Sequence, residues 1–377
     1  MRAYVFTDPA LRPVAGRFVW LAIDGEKAQN AALTKRLKIP GYPTFYILDP
    51  VTERVALRWV GGMSVDQMQH VLASGEVAVK GGGTPLDGAM VRADSLYAMN
   101  ADSAAASAYF ALLAAAPKDW PNRQRVLESA LFAASQAGRD PEAAALASAE
   151  MKGRERGLAL GNIASAGLGS ALALPAADPG RAGYITEFKP VVESIATDST
   201  LALAGDDRSG MWITLLGAYD DAGDSLGSHR IAEAWAGGLE RDARLAATPA
   251  QRCVYDAHRL SAYLELGQPE RAIPMLEQTV RDFPDDYNPH ARLAIAYNAM
   301  KRYPEALAES DRALAMSYGP RRISFYRTRV DILLGMGDKA GARKALEDAI
   351  AMVQGLPVGQ RSDAAIASFQ KRLASLE

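Results

Sequence analysis

Cysteine is nearly absent from this 377-residue chain, with Cys253 as its single representative. One thiol forms neither an intrachain disulfide nor a Cys-x-x-Cys couple, so the sequence as it stands carries no two-electron thiol chemistry. Cys253 reads as a small apolar helix residue. Long apolar runs are missing too: nothing approaches the roughly 18–20 residues that a membrane span needs. No apolar stretch of about 7–15 residues with a cleavage site follows Met1-Arg2-Ala3-Tyr4, so no signal peptide is read there. Charge of one sign is also lacking. The formal net charge of −2 excludes nucleic-acid or anionic-membrane binding driven by bulk charge. His70, His229, His258 and His290 show no i, i+4 pairing and no cysteine partner, which argues against a zinc site. The acids of Asp220-Asp221-Ala222-Gly223-Asp224 lack the alternation and closing glutamate of a calcium loop. Gly81-Gly82-Gly83 lacks the lysine of a phosphate loop, and no Ser-His-Asp set can be nominated from spacing. No metal, cofactor or catalytic residue is expected.

What is present divides in two. The length implies two or three domains, and 49% hydrophobic residues supply material for their cores. The first segment alternates between strand and helix patterns. Phe18-Val19-Trp20-Leu21-Ala22-Ile23-Asp24 suits a strand buried on both faces of a parallel sheet. A helix is expected from Gly25 to Lys38, with Ala31, Leu33 and Leu37 inward and Pro40-Gly41 as its stop. Phe45–Leu48 and Arg54–Val60 read as further strands. Ser64 then caps a helix with Gln67 at capping-box spacing, and Val65, Met68, Val71 and Leu72 form its buried stripe.

The stretch Ile39-Pro40-Gly41-Tyr42-Pro43-Thr44-Phe45, with these elements in this order, resembles the last two-thirds of a thioredoxin domain. The resemblance implies an α/β thioredoxin-like fold over residues 1–78. In it Pro43 is a cis proline, and Tyr42, Pro43 and Thr44 line a substrate groove. Cis X–Pro bonds are uncommon, about 5–6% of such bonds; a trans turn before a strand is the bland reading of Tyr42-Pro43. Val5-Phe6-Thr7-Asp8-Pro9 is similar to the segment that follows the second catalytic cysteine in this family. The resemblance therefore implies that the domain is incomplete, lacking its first core strand and its Cys-x-x-Cys. The expectation is an N-terminally truncated oxidoreductase whose cysteines, and any export signal towards the cell envelope or periplasm, lie upstream of Met1. The present chain would itself be redox-inactive.

Residues 79–93, with Lys80-Gly81-Gly82-Gly83-Thr84-Pro85 at their centre, read as a linker. Beyond it the chain turns helical and self-similar. A spacing of five recurs in Gly138 to Ala143, Gly223 to Ser228, Gly267 to Ala272, Lys301 to Ala306 and Gly337 to Ala342. Ala272 and Ala306 stand 34 residues apart, as do Tyr263 and Tyr297. A small residue followed four positions later by a large one (Leu276, Leu346) suits two closely crossing helices. Ser310 and Tyr318 depart from the pattern, and Ala105, Tyr109 and Pro117 repeat it weakly. This resembles the tetratricopeptide repeat. An all-α solenoid is expected, degenerate over 94–250 and regular over 251–377, with a capping helix from Ser362 to Leu376. The stretch from Gly153 to Gly205, rich in proline and glycine, is expected to be irregular.

Two functions follow from these resemblances. In the first, repeats recruit clients to a thiol-disulfide oxidoreductase. In the second, a non-enzymatic adaptor binds protein or peptide clients on the concave face of the repeats. Some relatives of this kind grip a terminal carboxylate, and Asn298 and Arg292 are the nearest candidates for that role. Neither reading involves nucleic acid or a membrane span.

Overall fold

The computed structural model describes every residue except 2, 3, 38, 40, 82 and 377. Two short helices, α1 (Arg12–Ala15) and α2 (Ala31–Arg36), precede strands β1 (Thr44–Leu48) and β2 (Val55–Val60). There follow α3 (Val65–Val79), α4 (Pro85–Ala98), α5 (Asp102–Ala115), α6 (Arg123–Gln136), α7 (Asp140–Met151), α8 (Leu158–Ala173) and α9 (Arg181–Ala196). The chain continues through α10 (Gly205–Asp221), α11 (Ser225–Leu245), α12 (Pro249–Arg252), α13 (Asp256–Glu265), α14 (Ala272–Asp282) and α15 (Tyr287–Ala299). It ends with α16 (Tyr303–Met316), α17 (Arg322–Gly335), α18 (Lys339–Gly355) and α19 (Asp363–Ala374). Two compact units result: Met1–Val19 with Lys38–Trp235, and Trp20–Leu37 with Ala236–Glu377.

In the first unit, β1 and β2 pair antiparallel with Thr44 opposite Val60 and Phe45 opposite Trp59. Helix α3 starts at the Ser64–Gln67 capping box and lies so close to β1 that a Cβ on Gly75 would sit 2.2 Å from Ile47 Cδ1. Val5, Leu11, Leu57, Met63, Met68, Val71 and Leu72 form the core between them. This two-stranded sheet is all the β-structure among the described residues, so the expected thioredoxin-like α/β domain is not seen. The strand expected at Phe18–Asp24 is corrected most sharply: it is irregular, with Val19 89% and Leu21 74% exposed. An apolar run becomes a strand only where a neighbour satisfies its N–H and C=O groups, and β1 pairs with β2 alone. The helix expected over 25–38 contracts to a 3-10 turn, Ala28–Asn30, and α2; its stop at Pro40 lies outside the described residues. The break at 79–93 is also shorter than expected. Thr84 and Asp87 close a reciprocal capping box with Pro85 in the first turn, so α4 is already under way at 85.

From α4 onward, successive helices pack together as pairs: α4/α5, α6/α7, α8/α9, α13/α14, α15/α16 and α17/α18, with α19 on α18; α10 and α11 are joined by Trp235 Nε1 donating to Ser209 Oγ (3.0 Å). The spacing of five found in the sequence has a backbone cause. Gly138, Gly223, Gly267 and Gly337 take left-handed φ values of 68°, 66°, 67° and 78° just past the first helix of a pair. The next residue's N–H then reaches back to the last turn, as in Gln268 to Tyr263 O (2.8 Å) and Asp338 to Leu333 O (2.9 Å). Asn100 does the same at φ 62°, five residues before Ala105, which adds α4/α5 to the set. Lys301 holds this position at φ 58° without being glycine. Lys301→Gly is therefore expected to raise the urea midpoint, adding about 1 kcal/mol of stability. An unchanged midpoint would mean that the strain is absorbed elsewhere.

Ala143, Ala272, Ala306 and Ala342 are fully buried where the paired helices cross, and Leu276 and Leu346 fill the adjoining space. Ser310 is buried with its hydroxyl lacking a hydrogen-bond partner. The stretch expected to be irregular, 153–205, is instead the regular pair α8/α9, with Pro190 inside α9. Two of its glycines, Gly161 and Gly167, serve close contact rather than turning: a Cβ on Gly167 would lie 2.6 Å from the Phe188 ring and 2.8 Å from Ala147 Cβ.

In the second unit, residues 20–37 are held by side chains at the junctions between pairs. Gln360 Nε2 donates to Gly25 O (2.7 Å) and Lys27 O (2.9 Å), Tyr287 OH to Glu26 Oε2 (2.9 Å), and Tyr318 OH to Asp24 Oδ2 (2.5 Å). Tyr318, the departure from the repeat pattern, is thus a clamp. Beside it Gly319 admits the chain: a Cβ there would stand 2.1 Å from Glu26 O. Val330, Leu346, Val353 and Phe369 centre the core under α17, α18 and α19.

Candidate functional site

In the first unit, the leading helices of four successive pairs (α4, α6, α8 and α10) line one cleft of about 620 Å³, and β2 contributes to it. Trp59, Phe132 and Met211 give it apolar surface; Ser129, Ser165 and Thr214 give it hydroxyls. Gly169 and Gly210, both exposed, have nothing within 4 Å of the position where a side chain would begin. The cleft therefore has open walls as well as a polar floor.

One end is cationic. Arg58 on β2 is only 3% exposed, stacked 3.9 Å over the Tyr97 ring and donating through Nη1 to Tyr97 O (3.1 Å). Its Nε and Nη2 have no hydrogen-bond partner among the described residues. Arg125 on α6 is committed differently: it pairs with buried Asp94 on α4 (Nη2 to Oδ2 2.6 Å), while Tyr109 OH on α5 donates to Asp94 Oδ1 at 2.5 Å. Arg125 Nη1 also reaches Arg58 O at 3.3 Å, so the network ties β2 to three helices. Burial works against the Arg125 charge, but the Asp94 carboxylate outweighs it and holds the guanidinium above its ordinary range. Burial, then the Asp94 charge, pushes the Tyr109 phenol well up.

The middle of the cleft is acidic. Glu128 Oε1 on α6 accepts from Gln124 Nε2 (2.8 Å) and Asn162 Nδ2 (3.1 Å). Burial raises its carboxyl above the usual range despite those bonds and the nearby Arg154. Asp207, in the first turn of α10, is pushed up to about 6 by burial and then by the charges of Glu128 and Asp206. A helix N-terminus lowers an acid's pKa, so the opposite direction here shows desolvation and like charge winning. The neighbouring arginines are engaged elsewhere. Arg208 donates to the carbonyls of Ala196, Asp198 and Leu201, and Arg154 to Gln124 and Glu150. Neither Glu128 nor Asp207 has an ion-pair partner among the described residues.

The sites expected from the sequence lie elsewhere. The Tyr42–Pro43 peptide bond is cis, and Tyr42 is 68% exposed in the loop before β1. Pro43 O accepts from Gly61 N–H (2.8 Å), Thr44 Oγ1 donates to Gly41 O (2.6 Å), and none of the three lines the cleft. Arg292 and Asn298 share α15, but six residues put them about 120° apart around the helix. Arg292, moreover, faces Asp256 and Asp286, so the pair makes no clamp. The Cys253 thiol is raised, first by burial and then by Asp256, which makes it a poor nucleophile. His70 bonds to Asn122 (2.9 Å) and His290 to Glu309 (2.6 Å). No three His, Cys, Asp or Glu side chains converge as metal ligands among the described residues, and no helix among them is long and apolar enough to cross a membrane. Arg58, Glu128 and Asp207 belong to no motif in the sequence. Glu128, a lone acid beside Val126, Leu127 and Ala130 on α6, is the one signal available there.

Residues 263–321 match the tetratricopeptide repeat family. Among curated proteins, sequence comparison finds no match. Among solved structures, the chain is similar to a tetratricopeptide repeat protein from Parabacteroides merdae at 12% identity and TM-score 0.47, covering 78% of this chain and 100% of that one. It is similar to the TPR2AB domain of yeast Sti1 in its pHSP90 complex (12% identity, TM-score 0.30, 78% and 99% covered). It is also similar to the Cut9–Hcn1 hetero-tetramer of the APC/C (12% identity, TM-score 0.37, 82% and 54% covered). Residues 263–321 thus carry the tetratricopeptide repeat signature, set among further packed helices.

Proposed function

We propose that the protein is a non-enzymatic adaptor that holds an extended segment of a protein partner in the cleft of α4, α6, α8 and α10. The observation that carries this reading is the cleft itself: about 620 Å³, open-walled, and furnished with charged groups whose partners the fold does not supply. Residues 1–78 contribute β2 to the cleft, and the helical region beginning near 94 supplies most of its walls. Clients reach the repeats as protein or peptide, with no role for nucleic acid.

The oxidoreductase reading rests on the Tyr42-Pro43-Thr44 loop alone. A raised, solitary Cys253 gives it no chemistry, and a two-stranded antiparallel sheet gives it no thioredoxin framework.

The test is selection of a random dodecapeptide library, displayed on phage, against the full chain and against Gly169→Trp/Gly210→Trp. Both glycines are exposed on helices with space beside them, so the indoles fill the cleft without disturbing the core. Peptides enriched on the wild type and lost on the filled variant are expected. Equal enrichment on both proteins would remove the cleft as the binding site.

A further inference from the structure

Resting on that reading, the charge layout of the cleft specifies its client further. Glu128 and Asp207 line the same cleft, and the charge of Glu128, joined by that of Asp206, opposes the ionisation of Asp207. Every arginine near them is spent: Arg125 on Asp94, Arg154 on Glu150 and Gln124, Arg208 on backbone carbonyls. Gln124 and Asn162 fix the Glu128 carboxylate in place. A carboxylate positioned in this way, with a second lining the same cleft and no ion pair to either among the described residues, suits a guanidinium or ammonium brought from outside. A solvated acidic turn would not place one of its members on the floor of a cleft.

An independent feature of the same cleft also points to a ligand. Arg58 is buried to 3% exposure and lines the cleft, yet Nε and Nη2 donate to nothing among the described residues. Buried guanidinium N–H groups left unpaired are costly, and a small turn of the Arg58 guanidinium towards the cleft lets an oxygen acceptor from a bound chain satisfy them. An extended peptide supplies both at once: a main-chain or side-chain oxygen at one end and a cationic side chain further along.

We propose that the partner segment carries an arginine or lysine whose cation lodges against Glu128 and Asp207 while an oxygen of the same segment accepts from Arg58. Trp59, Phe132 and Met211 accommodate the apolar stem of that residue and its neighbours.

The same phage selection tests this, read by sequencing and repeated on Glu128→Gln/Asp207→Asn. Arginine or lysine is expected to be enriched about tenfold at one peptide position on the wild type, and that preference is expected to vanish on the double amide variant. Selection of acidic or uncharged peptides, still lost on Gly169→Trp/Gly210→Trp, would overturn the cation site and leave the adaptor reading standing. Basic peptides that survive the double amide substitution would overturn it as well. No difference between wild type and filled cleft would remove the reading on which it rests.

Discussion

Asp94→Ala is expected to destabilise the first unit by about 3–5 kcal/mol, the range for removing one partner of a buried ion pair. Asp94 is fully buried and Arg125 nearly so, and the deletion strands the Arg125 charge between α4, α5 and α6. It also removes the acceptor of the Tyr109 hydroxyl. Tyr109→Phe removes only one hydrogen bond and should cost about 1–2 kcal/mol. Urea unfolding followed by tryptophan fluorescence suits the measurement, because Trp59, Trp120, Trp212 and Trp235 all lie in the first unit. If Asp94→Ala cost no more than Tyr109→Phe, water or a rearranged acid would have to be neutralising Arg125. The effect should extend to the cleft, since Arg125 bonds to the backbone of Arg58.

Asp207→Asn is expected to stabilise the protein near neutral pH while weakening its hold on a basic partner. The carboxyl titrates near 6 in the fold against about 3.8 unfolded, so the folded state binds its proton more tightly. Its favourable contribution is therefore complete below pH 4 and is lost as pH rises through 6. The full shift corresponds to about 3 kcal/mol, and partial solvent access lowers this to about 1–3 kcal/mol at pH 7.5. The groups facing Asp207 are Glu128 and Asp206, and both oppose its charge; Arg208 is turned away. The neutral amide of the variant escapes this penalty, so the stability gap between the two proteins should shrink as pH falls from about 7.5 towards 4.5. Unfolding midpoints across that range check it; a gap independent of pH would locate the effect in packing rather than charge. An acid kept at a stability cost in a cleft is understandable if a cationic partner offsets that cost when bound.

The repeats were legible because their signals are local. A left-handed residue past a helix end needs glycine or a tolerant substitute, and a close helix crossing needs a small side chain five residues later. Gly267 with Ala272 and Gly337 with Ala342 therefore announce the hairpin without reference to the rest of the molecule. The same holds for Ser64 with Gln67 at the start of α3. Over α8 the local reading fails: glycine reads as a breaker, whereas Gly167 is the contact that lets α8 meet Phe188 and Ala147.

Long-range pairing decided everything else. Phe18–Asp24 has the composition of a buried strand, but a strand exists only with a partner, and that depends on chain far away in sequence. Residues 20–37 lie in the second unit because Tyr287, Tyr318 and Gln360 hold their carbonyls and carboxylates. The cleft has the same origin. Arg58, Glu128 and Asp207 come from a strand and two helices, each unremarkable in its own sequence window. Coulomb and desolvation energies depend on distance and burial rather than on order along the chain, so their meaning appeared only once the four helices lay side by side.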